Sequence, residues 1–476
     1  MAGDGLVLIH TVRAELFGDG VGDLGRMESN YGWTLPKPPY KPWLAMIFWD
    51  QESETLSRPA LEQLQLKRLQ DTVKRLAQRV PFYQKQFARL GVKPEDIKSL
   101  DDARRLPFTT GADLRAIYPD GLLAVDHDEP VRLHTSSGTT GKPKAIFFSR
   151  KDVDNAAQLI ARSLVSTGIT KKDVFQNMMS YGLFTGGLVM HYGAEKVGCL
   201  VIPSGPGTSE RQLMLMQDFH TTAVHILPSY ALYFASFLEH KGLNPRKDLT
   251  LRKAFVGAEP HTEETRRRIE EAYGCDVYNS YGLTEMNGPG VAFECECKAG
   301  LHLWEDYFLL EIINPETCEP LPEGETGEMV LTSLNREAMP ILRYRTRDIT
   351  SIIPEPCKCG RTHRRLNRFT GRSDDMLIIR GVNIFPQQIE RVLMSFPQVG
   401  RNYVIEIEGL DDMTIKVELA AAGFDGQVEH LTALQTQMVE KLKAETWVKP
   451  KVHLVPAGSL PVAEGKAKRV IDKRSL

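Results

Sequence analysis

Between residues 170 and 290 the sequence alternates short apolar segments with helical ones, and this alternation limits the fold more than any other feature. The apolar segments are CLVIP, AVHILP, KAFVGAE and DVYNSYG, and one of the helical segments is HTEETRRRIEEAYG. Short apolar runs separated by helices are typical of parallel strands that are covered on both faces. The sequence therefore predicts a layered α/β fold in which helices flank a largely parallel sheet.

The pattern of the chain changes on both sides of this region. Residues 57–90 carry apolar side chains at helical spacing and predict amphipathic helix. After Cys295, stretches of period 2 broken by Asn-Pro and Pro-Glu-Gly predict antiparallel strands. After residue 375, a hairpin pattern (YVIEIEGLDDMTIKVEL) and a helix pattern (HLTALQTQMVEKLKAE) predict a separate small α+β domain.

Residues 1–45 differ from the rest because they contain the glycine-rich GDGVGDLG and the proline-rich PKPPYKP. Such segments favour loops and polyproline conformations. We expect a poorly packed N-terminal extension here, with Met46 as the better start of the orderly sequence.

The composition narrows the class of protein. A chain of 476 residues with 25% charged and 42% hydrophobic residues fits a soluble globular protein of two or more domains. Its net charge of −2 argues against a general nucleic-acid binder, and no apolar run approaches the roughly 20 residues that span a bilayer. We therefore expect a cytoplasmic protein with no nucleic-acid or membrane partner, whose seven cysteines serve as thiols or metal ligands.

The stretch HTSSGTTGKPK at residues 134–144 combines serine and threonine hydroxyls with two glycines and two lysines. Free backbone N–H groups, hydroxyls and cations together can surround a phosphate group. The stretch departs twice from the P-loop pattern, because Ser136 stands at the first glycine and Pro143 at the magnesium-binding hydroxyl. It predicts a phosphate site, but not that of an ordinary P-loop ATPase or kinase.

Four other motifs follow this loop, in the order YNSYGLTE (278–285), RYRTRD (343–348), GRSDDMLIIRGVNIFP (371–386) and LPVAEGKAKRVIDKR (460–474). With these five motifs the chain resembles the adenylate-forming acyl-CoA synthetase superfamily, and within it the phenylacetate–CoA ligases. The resemblance implies a large N-terminal adenylation domain of several subdomains with layered sheets and helices, residues 46–371. It also implies a hinge at residues 372–374 and a small mobile α+β C-terminal domain, residues 375–476.

The same resemblance implies the reaction. Such enzymes use ATP and Mg²⁺ to convert a carboxylic acid to an acyl-adenylate and pyrophosphate, and then transfer the acyl group to coenzyme A, releasing AMP. Phenylacetate, the substrate in phenylacetate catabolism, is the favoured acid. The open alternatives are another aromatic acid (benzoate, hydroxyphenylacetate or indole-acetate), another acceptor, and a zinc-stapled binding module without catalysis. A homodimer is also left open.

The resemblance assigns roles in the nucleotide site to individual motif positions. Thr284 would contact the α-phosphate, Glu285 would hold Mg²⁺, and Asp348 would accept hydrogen bonds from both ribose hydroxyls. Tyr281 would lay its ring against the adenine. The superfamily often has glycine where Arg347 stands. The implied ATP-binding residues are Ser136, Ser137, Gly138, Thr139, Thr140, Gly141, Lys142, Gly257, Ala258, Glu259, Pro260, Asn279, Ser280, Tyr281, Gly282, Asp348 and Arg372.

Lys466 matches the lysine of the final motif and would bring an ammonium group to the carboxylate and the α-phosphate. Because this lysine lies in the small domain, the domain would close over the site and then swing for the thiol step. Asp374 matches the hinge position, and Gly381 matches the glycine of the coenzyme A channel.

The segment SYGLFTGGLVMHYG (180–193) resembles the acid-binding segment of phenylacetate ligases. Tyr181, Phe184, Gly186 and Gly187 would shape a flat slot for an aromatic ring, because such a ring needs stacking partners and little headroom. Core packing is the alternative explanation for each of these residues.

Cysteine and histidine residues occur in two short clusters, CECKAGLH (295–302) and CKCGRTH (357–363). Zn²⁺ takes four nitrogen or sulfur ligands in a tetrahedron, and such paired clusters are common in structural sites. The predicted ligands of a structural Zn²⁺ are Cys295, His302, Cys357 and Cys359, with Cys297 or His363 as substitutes. Unligated thiols are the alternative.

Overall fold

The computed structural model describes residues 47–136, 143–379, 382–408, 412–420, 428–460 and 469–474, which belong to one compact unit. The expected N-terminal extension, residues 1–45, lies outside the described residues. So do residues 137–142 of the glycine loop, Gly381 and Lys466.

The helices of the described residues fall mainly in the first three hundred residues of the chain. They are α1 (Gln51–Glu54), α2 (Arg58–Arg79), α3 (Pro81–Leu90), α4 (Gly111–Ala116), α5 (Arg150–Val165), α6 (Thr185–Val197), α7 (Ser209–Asp218), α8 (Pro228–His240), α9 (Pro245–Asp248), α10 (Glu263–Tyr273), α11 (Pro386–Met394) and α12 (Val428–Thr446). Short 3₁₀ turns occupy Pro94–Asp96, Asp101–Arg105 and Thr284–Met286. Among these described helices, none has both the length and the apolar character needed to cross a membrane.

The strands vary in length from two residues to ten. They are β1 (Arg132–Thr135), β2 (Ala145–Phe148), β3 (Val174–Asn177), β4 (Leu200–Ile202), β5 (Ala223–Ile226), β6 (Lys253–Gly257), β7 (Asp276–Leu283), β8 (Gly288–Glu294), β9 (Leu301–Leu303), β10 (Phe308–Ile313), β11 (Gly327–Ser333), β12 (Tyr344–Thr350), β13 (Ile352–Ile353), β14 (Arg365–Leu366), β15 (Gly371–Arg372), β16 (Leu377–Ile379), β17 (Val382–Ile384), β18 (Val399–Glu408), β19 (Asp412–Leu419), β20 (Lys451–Val455) and β21 (Val470–Asp472).

A nine-stranded sheet in the order β13-β14-β9-β8-β7-β6-β5-β3-β4 organises the first part of the chain. Strands β4, β3, β5, β6 and β7 are parallel, whereas the strands from β7 to β13 pair antiparallel. Successive residues of β6 point to opposite faces, so that Val256 packs with α8 and α10 and Phe255 packs with α5 and α6. The predicted layered α/β fold is confirmed, and the strands of the predicted region, β3 to β7, are parallel, whereas the sheet as a whole is mixed.

The amphipathic helix predicted for residues 57–90 is present, but it is divided in two, because α2 ends at Arg79 and α3 begins at Pro81. A proline has no N–H to donate and disfavours helical dihedrals in the residue before it. Val80 accordingly has φ −116° and ψ 104°. Both helices still bury their apolar faces, including Leu69, Leu76 and Phe87.

The antiparallel strands predicted after Cys295 are present. Strands β10, β11, β12 and β15 form a four-stranded antiparallel sheet. In its register Asp348 on β12 lies opposite Arg372 on β15. Two motifs that are distant in the sequence therefore meet on neighbouring strands.

The hairpin and the helix predicted after residue 375 are also present. Strands β18 and β19 pair antiparallel, β20 and β21 flank them in parallel, and α11 and α12 cover the sheet. A hydrophobic cluster of its own, which contains Leu393, Ile405, Ile415 and Met438, lies among residues 377–452. The small α+β element thus has a separate core.

Candidate active site

The motif YNSYGLTE is placed by β7 and the turn that follows it. Residues 279–282 lie on β7, and Thr284 and Glu285 lie in the 3₁₀ turn that leads to β8. Strand β6 runs beside β7 and ends at Gly257, where a side chain would collide with the carbonyl oxygen of Ser280. Because glycine permits this close approach, the GAEP segment and the YNSYGLTE segment lie side by side.

Glu285 is a buried carboxylate with its own counter-ion. It is 4% exposed, forms an ion pair with Lys144, and accepts a hydrogen bond of 2.7 Å from the hydroxyl of Tyr344. Burial alone would raise the pKa of Glu285, but the Lys144 ammonium and the Tyr344 hydroxyl hold it below its usual value. The predicted magnesium ligand is therefore ionised and paired with an amine.

Asp348 lies at the centre of a second group of charges. It accepts hydrogen bonds from the hydroxyl of Tyr281 at 2.5 Å and from the guanidinium of Arg372 at 3.3 Å. Burial raises the pKa of Asp348 to about 6, although Arg372 acts in the opposite direction. Arg372 also donates to both carboxylate oxygens of Asp374, at 2.8 and 2.9 Å. The residues predicted for the adenine, the ribose and the hinge are thus in direct contact.

The ring of Tyr281 stacks on the ring of Phe369, with centroids 4.1 Å apart and planes tilted by 22°. Burial and the neighbouring Asp348 raise the pKa of Tyr281 well above its usual value, so the phenol stays protonated and can donate its hydrogen bond. An aromatic platform of two rings lies beside the predicted ribose-binding carboxylate.

Of the glycine loop, the structure describes the two ends. The N–H of Ser136 donates to the carbonyl of Lys144 at 3.1 Å, and the N–H of Lys144 donates to the hydroxyl of Ser136 at 3.3 Å. Residues 137–142, which include five of the predicted phosphate-binding positions and Lys142, lie outside the described residues. The closed base of the loop adjoins Glu285 through Lys144.

The predicted acid segment meets the nucleotide motif at one point. The hydroxyls of Thr185 and Thr284 lie 3.4 Å apart. A side chain on Gly187 would collide with the carbonyl of Ser180, whereas one on Gly186 would meet no atom within 4 Å. Phe184, at the start of α6, is 46% exposed. Close packing therefore requires glycine only at position 187.

Tyr181 belongs to a chain of polar contacts. Its hydroxyl accepts a hydrogen bond of 2.9 Å from the amide of Asn177 and lies 3.2 Å from Nδ1 of His191, whose Nε2 lies 3.0 Å from Glu195. Burial raises the pKa of Tyr181 to about 12. Polar partners of the protein itself therefore surround the hydroxyl of this predicted pocket residue.

Two further motif residues have unusual backbone conformations. Ala258 in the GAEP segment has φ +64°, and Arg347 in the RYRTRD segment has φ +71°. Positive φ favours glycine, so the backbone at Arg347 would accommodate the glycine that the resemblance implies for this position. The carboxylate of Glu259, next to Ala258, accepts hydrogen bonds from the N–H and the hydroxyl of Ser229 at 3.2 and 3.0 Å.

Sequence reasoning missed four residues that contact the predicted ones, namely Lys144, Thr185, Tyr344 and Phe369. Lys144 and Tyr344 lie within motifs that the sequence analysis singled out, and Thr185 lies between two predicted pocket residues. Position in a motif could have pointed to these three. Phe369 carries no local signal, because its role depends on a tertiary contact with Tyr281.

At the other end of β8, three cysteines and one histidine form a compact group. Cys295, His302, Cys357 and Cys359 are all buried, and their ligand atoms lie within 4.8 Å of one another. The sulfurs of Cys295 and Cys357 are 3.7 Å apart, and the sulfur of Cys359 is 3.3 Å from Nε2 of His302. The structure thus brings together the four predicted metal ligands.

The histidines of this group have defined orientations. Nδ1 of His302 lies 3.2 Å from the carbonyl of His363, a contact that leaves Nε2 facing the sulfurs. In His363, Nδ1 accepts from the N–H of Glu305 at 2.9 Å and Nε2 lies 3.0 Å from the carbonyl of Ser53. Both ring nitrogens of His363 are occupied, so this residue does not act as a substitute ligand. Cys297, the other substitute, is exposed.

Comparison with known proteins gives matches along most of the chain. The family model described as AMP-binding enzyme matches residues 46–335, and the one described as AMP-binding enzyme C-terminal domain matches residues 381–474. A phenylacetate-coenzyme A ligase of Thermus thermophilus is 44% identical over 445 residues, which cover 90% of this chain and 100% of the relative.

Among solved structures, 2-hydroxyisobutyryl-CoA ligase is similar in two states. In its postadenylation state, with R3-HIB-AMP bound, it matches with a TM-score of 0.86 at 29% identity, covering 94% of this chain and 97% of that chain. In its thioesterification state, with 2-HIB-AMP and CoA bound, the TM-score is 0.68 at 30% identity and the same coverage. The arrangement of this chain is therefore more similar to the postadenylation state.

Proposed function

The chain belongs to the AMP-binding, adenylate-forming enzymes and within them to the phenylacetate–CoA ligase family, and we propose that it ligates phenylacetate to coenzyme A with ATP, giving phenylacetyl-CoA, AMP and pyrophosphate. The observation that carries this proposal is the 44% identity to a phenylacetate-coenzyme A ligase over 90% of the chain. The ion pair between Asp348 and Arg372 supports it, because it joins two of the motif positions that the reaction needs.

In the first half-reaction, the carboxylate of the acid attacks the α-phosphorus of ATP and pyrophosphate leaves. Asp348 and Arg372 would hold the ribose, and Tyr281 would present one ring face to the adenine while the other stacks on Phe369. Thr284 would contact the α-phosphate. Because Thr284 is also in contact with Thr185, the nucleotide and the acid segment are held in register.

The site has to neutralise the charge of two anions that approach each other. Glu285 fits a divalent cation, because it is a buried, ionised carboxylate that already carries a cation, the ammonium of Lys144. A Mg²⁺ ion bound there would offset the charge of the triphosphate. Lys144 would then be released from Glu285 and could serve the phosphates that lie over the base of its loop.

We assign the remaining positive charge to Lys466, which the motif places in the C-terminal domain. Residues 46–371 would form the adenylation domain, residues 372–374 the hinge and residues 375–476 the lid. The separate hydrophobic cluster among residues 377–452 supports this division. In the second half-reaction the thiol of coenzyme A attacks the acyl carbon and AMP leaves, with Gly381 in the channel for the pantetheine arm.

The test of this proposal measures pyrophosphate release with a panel of aryl acids, with and without coenzyme A. We expect phenylacetate to give AMP and a thioester, and the Lys466→Ala variant to lose adenylate formation by on the order of 10²–10³-fold. The neighbouring Lys468→Ala is the matched control. Turnover of benzoate, hydroxyphenylacetate or indole-acetate but not phenylacetate would reassign the acid, and parental pyrophosphate release by Lys466→Ala would remove this lysine from the mechanism.

We also propose that Cys295, His302, Cys357 and Cys359 bind a structural Zn²⁺. Tetrahedral Zn²⁺ with Zn–S and Zn–N bonds of about 2.3 and 2.1 Å requires ligand atoms about 3.6–3.8 Å apart. Two of the distances between ligand atoms, 3.7 and 3.3 Å, are close to that requirement, and all four ligand atoms lie within 4.8 Å of one another. Metal analysis of the purified protein should give about one zinc per chain, and a chain without metal would leave the three cysteines as unligated thiols.

A further inference from the structure

The first turn of α10, in the large domain, contacts a carboxylate of the small domain. The hydroxyl of Thr265 donates to Oε1 of Glu390 at 2.6 Å, and the N–H of Thr262 donates to the same oxygen at 3.3 Å. Thr262 is the N-cap of α10. A carboxylate is favoured at this position, because the N-terminus of a helix carries partial positive charge and unpaired N–H groups. All three residues are buried.

A second contact, less than two turns further along α10, joins this helix to the connection between α11 and β18. The guanidinium of Arg268 donates to the carbonyl of Phe396 at 2.6 Å and to that of Val399 at 3.0 Å. These carbonyls follow the end of α11 at Met394. The two contacts therefore join α10 to Glu390 within α11 and to the connection that leads from α11 to β18.

The same carboxylate is tied to the part of the small domain that carries the last motif. The hydroxyl of Tyr403 donates to Oε2 of Glu390 at 2.9 Å. The guanidinium of Arg469 lies over the ring of Tyr403, 4.6 Å from its centroid, and the carbonyl of Arg469 accepts from the N–H of Ile405 at 2.8 Å. In the sequence Arg469 comes three residues after Lys466. Tyr403 thus joins Glu390 to the attachment point of the Lys466 segment.

We propose that Thr265, Arg268 and Glu390 form a latch that holds the small domain in the pose for adenylate formation and must open before coenzyme A reacts. This inference rests on the proposed two-step function and adds positioning residues to it. The closer similarity to the postadenylation state than to the thioesterification state supports the assignment of the latch to the first pose. Glu390 is a positioning residue, because it acts on the reaction only through the domain it holds.

The chemistry of the latch suits an element that opens in every catalytic cycle. Glu390 keeps its bond to Tyr403 when the domains separate, because both residues move together, and water can replace Thr265. When the domains separate, the guanidinium of Arg268 can likewise donate to water instead of to the two carbonyls. Loss of one hydrogen bond to a charged group should shift the balance between the two poses by about tenfold.

The experiment compares Thr265→Val with Thr265→Ser. Valine has the shape of threonine but no hydroxyl, whereas serine retains the donor to Glu390. The control on α11 is Arg391→Ala, because the exposed Arg391 pairs with Glu445 inside the small domain. Three readouts are needed: ATP–pyrophosphate exchange with phenylacetate, thioester formation from supplied phenylacetyl-adenylate and coenzyme A, and amide hydrogen exchange in peptides that cover residues 259–266 and 386–399.

We expect Thr265→Val to lower the pyrophosphate exchange by about tenfold and to leave thioester formation from the supplied adenylate unchanged or faster. Amide hydrogen exchange should accelerate in both peptides of this variant. Thr265→Ser and Arg391→Ala should resemble the parent in all three readouts. A parallel fall of both half-reactions, or amide exchange equal to the parent in Thr265→Val, would overturn the latch. A parent that acts on no aryl acid would refute the proposed function, and the amide exchange would still decide whether the latch exists.

Discussion

Two groups of buried polar side chains lie at the two ends of β8, and they differ in how their charges are balanced. At the Gly288 end, Glu285 is balanced by Lys144, and Asp348 is balanced by Arg372. At the Glu294 end, three thiols and an imidazole face one another, so that several lone pairs converge on one point. In the first group each carboxylate has a cationic side chain of the protein as its partner, whereas the described contacts of the second group join only thiols and an imidazole. If the first group binds substrate and the second binds the proposed Zn²⁺, the two sites differ in whether the protein supplies its own counter-ions.

The largest expected effect tests the Zn²⁺ proposed for the cysteine cluster. Cys357→Ser should remove the zinc and lower the free energy of unfolding by on the order of 4 kcal/mol, because loss of a structural metal is among the most destabilising single changes. Chemical denaturation and metal analysis measure both quantities. Cys297→Ser, which alters an exposed cysteine two residues from Cys295, should change stability by less than about 0.5 kcal/mol. Equal effects of the two substitutions would contradict the distinction between the two ends of β8.

The second-largest effect is expected at Glu285, near the Gly288 end of β8. Glu285→Gln should lower pyrophosphate release by on the order of 10²–10³-fold, because a neutral amide cannot hold the cation that offsets the triphosphate. Zinc content should remain that of the parent, since the cluster lies at the far end of the strand. Steady-state kinetics with varied Mg²⁺ and ATP measure the loss. Loss of zinc in this variant would show that the two groups depend on each other.

The third effect is the pH dependence that Asp348 should give to the reaction with ATP. With a raised pKa of about 6, Asp348 is ionised at pH 7 and becomes protonated as the pH falls below 6. A protonated carboxyl loses acceptor capacity for the ribose hydroxyls, so kcat/KM for ATP should fall by about tenfold for each pH unit below 6. Asp348→Asn should weaken ATP binding at all pH values and abolish this limb of the profile. An unchanged limb in that variant would assign the titration to another group.

The smallest effect is expected at Arg347. Its φ of +71° strains any residue but glycine, so Arg347→Gly should relieve about 1 kcal/mol of backbone strain. The substitution also removes an ion pair of 3.5 Å with Glu328, which offsets about 0–1 kcal/mol of that gain. Thermal unfolding should therefore change little. A loss of several kcal/mol would show that the arginine side chain contributes more than its ion pair.

Local patterns predicted most of the fold. Strands β4, β5, β6 and β7 were predictable because buried parallel strands appear in the sequence as short apolar runs. The break at Pro81 was also present in the sequence, but helical spacing continues across it and hid the extended Val80. The presence of a helix or strand can thus be predicted from the pattern of its residues, whereas the exact position of its end depends on single residues.

In the candidate site, the sequence predicted the residues at motif positions but not the partners that they contact. Motif positions indicated Glu285, Asp348 and Arg372, but not that Lys144 and Tyr344 pair with Glu285, since such pairing is set by strand register. The same holds for the stacking of Phe369 on Tyr281. For the cysteine clusters, spacing offered six candidate ligands, and only the fold shows that His363 is engaged elsewhere.

The contact between Thr185 and Thr284 has a consequence for engineering chimeras of these ligases. A donor loop that replaces residues 180–187 to change the accepted acid would also replace the hydroxyl that meets the nucleotide motif. Recombination at this segment should therefore retain threonine at position 185, or redesign residue 284 with it. The two positions should therefore be changed together, although they are 99 positions apart in the sequence.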